Sequence, residues 1–116
     1  MEIPSVEGWP SVLRGDVLPL AILGQLQKPK CSAELFRTLQ RRGLLNEPGE
    51  LPPLLRQMEK QKLLKGNWEE TGSRPRKYYS LSSSGKEVFV KMDNEWQKVN
   101  GELHRLLEGD GGNDVN

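Results

Sequence analysis

Six apolar residues near the C-terminal end, Phe89, Met92, Trp96, Val99, Leu103 and Leu106, are separated by three, four, three, four and three positions. This is the a/d spacing of a helical seam, a stripe that is stable only against a second helical surface. Ser82 stands before it as an N-cap, and Gly109 opens a Gly/Asp/Asn-rich segment that reads as a frayed tail, so one long helix is expected over residues 82–108. A chain of 116 residues builds a single domain with a modest core, and its other apolar stripes are needed for that core. A second copy of the same helix is therefore the expected partner, the alternative being a helix folded back on its own domain.

Upstream, Asp16 reads as the cap of a helix over about 16–27, with Pro19 in its first turn and Lys28-Pro29 ending it. Ser32 caps the next helix, whose stripe of Leu35, Phe36 and Leu39 stops at Gly43. Turn chemistry at Asn46-Glu47-Pro48-Gly49 leads into Pro52-Pro53, a pair suited to a helix start. Leu51, Leu54, Leu55 and Met58 then recur at i, i+3, i+4 and i+7, which turns Arg56, Gln57 and Lys60 toward solvent. Residues 63–70 and 76–81 read as two strands of a hairpin joined by Thr71-Gly72-Ser73-Arg74-Pro75.

Net charge is +1, but its distribution is uneven: residues 1–51 are neutral, 52–81 carry +4 and 82–116 carry −3. A basic middle between a neutral head and an acidic tail is expected of a chain that meets a polyanion with one face. Several function classes are disfavoured. One cysteine, Cys31, and one histidine, His104, cannot form an internal disulfide or a Cys/His metal set, so no metal and no cofactor are expected. At a helix start Cys31 has the setting of a redox-sensing thiol, but a small partly buried residue is the preferred reading. No phosphate-binding glycine loop or nucleophile elbow is present, and the adjacent Glu69 and Glu70 point to opposite faces of a strand, so no catalytic residues and no enzyme are expected. Neither a membrane span nor a signal peptide is legible, which places the protein in the cytoplasm.

These elements add up to a mainly α fold with a small β-hairpin wing, a winged helix-turn-helix followed by a C-terminal dimerisation helix. The expected organisation is a lead (1–15), a winged-helix domain (16–81), the dimerisation helix (82–108) and a flexible tail (109–116). In such a fold the third helix enters the major groove of double-stranded DNA. There Arg56, Gln57 and Lys60 are candidate base-reading residues, while Arg74, Arg76 and Lys77 on the hairpin suit phosphates.

The run Gly49-Glu50-Leu51-Pro52-Pro53-Leu54-Leu55-Arg56-Gln57-Met58-Glu59-Lys60, then Leu63-Leu64, Trp68-Glu69-Glu70, Pro75-Arg76-Lys77-Tyr78-Tyr79-Ser80-Leu81 and Gly85, resembles the PadR family of bacterial regulators. The likeness extends from about Val17 to Leu107. It implies a homodimeric repressor whose first and last helices form the dimer contact and which leaves DNA when a small, often aromatic compound binds. Trp96 matches the tryptophan that sandwiches flat ligands across the dyad in some members, with Met92 one turn away. Glu50 and Pro52 replace the family's usual Thr and Tyr before helix three, and Cys31-Ser32-Ala33 replaces its His-Gly-Tyr lead; the resemblance then implies an altered operator. Two alternatives stand beside the ligand-responsive repressor: a winged-helix dimer without an effector, and a protein-interaction module that has lost DNA binding.

Overall fold

The computed structural model describes residues 9–109. In chain order the elements are α1 (Trp9–Gln25), β1 (Lys30–Cys31), α2 (Ser32–Arg41), a 3-10 turn (Pro48–Glu50), α3 (Leu51–Lys60), β2 (Leu64–Thr71), β3 (Arg74–Leu81) and α4 (Ser83–Leu107). The fold is mainly helical with a β-hairpin wing and a long C-terminal helix, as the sequence predicts; a short third strand, β1, makes the sheet three-stranded and antiparallel.

Each helix contributes the face that its apolar spacing marks. Leu18, Ile22, Leu23 and Leu26 from α1, Leu35 and Leu39 from α2, and Leu51, Leu55 and Met58 from α3 form one core. Leu64, Tyr79 and Leu81 close it from the sheet. Ile22, Leu23, Leu26, Leu35 and Leu55 are almost wholly sequestered, the class of site where truncation to alanine costs about 2–5 kcal/mol. Val88, Phe89 and Met92 on the first turns of α4 pack against this core from outside.

Two helix starts differ from expectation. Helix α1 starts at Trp9, so Asp16 lies inside it, Pro19 is an interior proline, and the expected 15/16 domain boundary falls mid-helix. Pro10 falls in the first turn of α1, where its missing N–H costs nothing. The expected lead and tail otherwise lie outside the described residues over 1–8 and 110–116. The N-cap of α2 is Cys31 instead of Ser32, and the Glu34 carboxylate accepts the Cys31 N–H at 3.1 Å. That bond holds the Glu34 carboxyl below the ordinary carboxylate range.

The hairpin is tighter than the expected five-residue connection. Pairing continues to Thr71↔Arg74, leaving only Gly72 and Ser73 in the turn. Pro75 is tolerated within β3 because β1 covers only Tyr78 and Tyr79, so at Pro75 the strand has a neighbour on one side only. Strand β1 has just two residues, too few for any alternation to announce it; it sets the sheet order β1-β3-β2.

Helix α4 is aimed by a close contact with the turn after α3. Ser82 caps it, its Oγ accepting the Gly85 N–H at 2.9 Å, while the same hydroxyl lies 2.6 Å from the Lys62 carbonyl oxygen. The Ser82 N–H donates to the Leu63 carbonyl at 3.0 Å. Gly85 is buried directly over that carbonyl, leaving no room for a Cβ.

Candidate nucleic-acid interface

The apolar stripe of α3 faces inward, so Arg56, Gln57 and Lys60 are exposed on the opposite side. The hairpin of β2 and β3 stands beside α3 and carries the exposed Arg74 and Arg76 at its tip. Between α3, the start of α2 and the hairpin lies an open cleft of about 880 Å³, to which Arg56, Trp68, Arg74, Arg76 and Tyr79 contribute. Among the described residues, Arg56, Lys60, Arg74 and Arg76 make no ion pair. Their charges face solvent, available to a polyanion.

Lys77 has a different setting from the one its neighbours suggest. Its ammonium donates to Glu59 Oε1 on α3 at 2.9 Å and stands 5.1 Å from the centre of the Tyr79 ring. The hydrogen bond to Glu59 is the main reason the Lys77 ammonium titrates above the usual lysine value. The side chain reaches α3 by passing over Gly66, where any Cβ would collide with the Lys77 chain. Lys77 thus ties the hairpin to the helix, whereas Arg74 and Arg76 keep the free charge expected of phosphate ligands.

Glu50, which the sequence places awkwardly beside a DNA-facing helix start, has a local task. Its carboxylate accepts the N–H groups of Glu47 at 3.1 Å and Asn46 at 3.3 Å, so it holds the 3-10 turn that leads into α3. Pro52 sits in the first turn of α3, half-buried. Cys31 is buried at the floor of the cleft, in keeping with a packing role.

The stripe on α4 divides in two. Phe89 and Met92 touch the domain's own core, while Trp96, Val99, Leu103 and Leu106 are exposed, the last at 73 %. Trp96 and Met92 therefore bracket the point where the helix leaves its domain. Apolar spacing marks neither Trp68, which is 67 % exposed in the cleft, nor the Glu59–Lys77 pair. A glycine at position 66 inside a strand was the available sign that another group passes close by.

The fold and the free cations agree with what comparison finds: the chain matches the model of the transcriptional regulator PadR-like family over residues 20–91. The chain belongs to that family. A PadR family transcriptional regulator from Eggerthella lenta DSM 2243 is 33 % identical to it, with a TM-score of 0.80 over 89 % of this chain and 92 % of that one. A PadR-like transcriptional regulator from Bacillus cereus strain ATCC 14579 is 28 % identical, with a TM-score of 0.78 over 84 % and 98 %. No curated protein matches the chain. As a PadR-like regulator the protein is a DNA-binding transcription factor and not an enzyme. Among the described residues no helix is long and apolar enough to cross a membrane.

Proposed function

We propose that this PadR-like protein acts as a homodimeric, sequence-specific repressor. In this reading two chains join along the distal half of α4, and Trp96, Val99, Leu103 and Leu106 of each form the seam. Phe89 and Met92 continue the seam at the domain end while also contacting their own core. The observation that carries the reading is this stripe of large apolar side chains left uncovered on a helix whose proximal turns are already seated. Exposed apolar surface of that extent, in heptad spacing, calls for a partner of the same geometry.

Each subunit then offers one α3 and one hairpin to the duplex. Arg56, Gln57 and Lys60 read base edges in the major groove, arginine being suited to guanine and glutamine to adenine. Arg74 and Arg76 bind phosphates and fix the register. Lys77 belongs to this surface by holding the hairpin against α3 through Glu59. Selection of bound fragments from random duplex DNA tests the reading. The expected outcome is a two-fold site whose halves lie about one helical turn apart; recovery of no preferred sequence would contradict it.

The effector is a planar aromatic compound held between the Trp96 indoles of the two subunits, with Met92 beside them. Trp96 supports this by its partial exposure, 41 %, at the place where the two helices would first meet. Quenching of tryptophan fluorescence by flat aromatic compounds, absent in Trp96→Ala, tests it. Unchanged fluorescence favours a dimer that works without an effector.

A further inference from the structure

Trp68 is the largest apolar side chain of the hairpin, and it stands 67 % exposed in a cleft that it shares with Arg56, Arg74, Arg76, Lys77 and Tyr79. Its ring offers a partner more apolar contact area than any other side chain does. Its surroundings are specific. The strand register pairs Trp68 with Lys77, and the next pair on the same face is Gly66 with Tyr79. The Lys77 charge is taken up by Glu59, so the free cations around the cleft are the guanidinium groups of Arg56, Arg74 and Arg76.

An apolar ring among three unpaired guanidinium groups matches a nucleic-acid strand, whose deoxyribose faces alternate with phosphate anions. A small aromatic molecule fits less well. Sites for such ligands enclose most of the ligand's surface, and a cleft that leaves two-thirds of its own indole in water does not. Resting on the DNA-binding reading above, we propose that Trp68 is a DNA contact: its indole packs on the deoxyribose backbone of one strand lying between the hairpin and α3, while Arg74 and Arg76 hold the flanking phosphates. The contact is neutral and blind to sequence. It raises affinity for every duplex and sets how closely the strand approaches Arg56.

The test is binding of labelled duplexes, one selected and one of random sequence, to the full chain over a series of salt concentrations. Trp68→Ala, Trp68→Phe and Arg76→Gln are compared with the unaltered protein. Trp68→Ala is expected to bind both duplexes about tenfold more weakly, with the slope of log affinity against log salt unchanged, because no phosphate contact is lost. Trp68→Phe keeps a ring and should recover most of the loss, whereas Arg76→Gln should reduce the slope by about 0.9. Thermal melting of each variant shows whether the fold is kept.

Affinity of Trp68→Ala within about twofold of the unaltered protein, well under the cost of losing an aromatic contact, overturns the proposal. A loss matched by a slope change like that of Arg76→Gln, or a Trp68→Phe as weak as Trp68→Ala, also overturns it. So does normal DNA binding with lost response to planar aromatic compounds, which would move the indole to a small-molecule site. If the unaltered protein binds neither duplex, the DNA reading falls together with this one.

Discussion

Gly85→Ala should unseat the long helix. A Cβ at this position would lie more than about 1 Å inside the ~3.3 Å at which carbon and oxygen ordinarily meet, with the Leu63 carbonyl oxygen as its neighbour. It would also stand 3.0 Å from the Leu63 carbonyl carbon and 3.4 Å from Leu81 Cδ2, so retreat is possible only if the first turn of α4 lifts away. Lifting it stretches the 3.0 Å bond from the Ser82 N–H to Leu63 and the 2.6 Å contact of Ser82 Oγ with Lys62. Two such bonds contribute about 1 kcal/mol each, and strain in a packed site adds about 1–3 kcal/mol. Replacing a helical glycine returns roughly 0.5–1 kcal/mol. The net loss is about 3 kcal/mol, a large part of the ~5–15 kcal/mol that holds a domain together. For a chain of this length the melting temperature should fall by about 10 °C, followed by circular dichroism, with a matching shift of the urea midpoint. A variant melting within about 2 °C of the parent would refute the seating of α4 on Leu63.

A double-mutant cycle of Glu59→Gln and Lys77→Gln should give a coupling of about 0.5–1 kcal/mol in urea unfolding, the value for a half-exposed pair; zero coupling would return Lys77 to the phosphate ligands. Lys62 has φ 65° at the end of α3, a conformation that disfavours a side chain, so Lys62→Gly should stabilise by about 0.5 kcal/mol, read as a later urea midpoint. Because the Glu34 carboxyl titrates below its ordinary value of 4.5, its contribution to stability is complete above that pH and fades as pH falls through the lower folded value. The difference between the parent and Glu34→Gln should therefore be present at pH 7 and vanish in acid; a difference that grows in acid would contradict the Cys31 contact.

Much of this molecule is legible in its sequence because burial imposes periodicity. The stripe of Leu51, Leu55 and Met58 fixes which side of α3 is free, and with it the exposure of Arg56, Gln57 and Lys60. What stays hidden depends on partners far apart in the chain. Glu59 and Lys77 are 18 residues apart and meet only because the hairpin folds beside α3 over Gly66. Pro75, expected in the hairpin connection, misleads because a missing N–H disrupts structure only where a partner is required, and a sequence does not say which amides those are.

In the proposed repressor two chains, joined along α4, read one stretch of duplex together. Sedimentation equilibrium of the protein with a selected duplex weighs that complex directly. A mass of one duplex plus two chains is expected at saturation, and a dimer when DNA is left out. One chain per duplex, over a protein that stays monomeric at micromolar concentration, would contradict it.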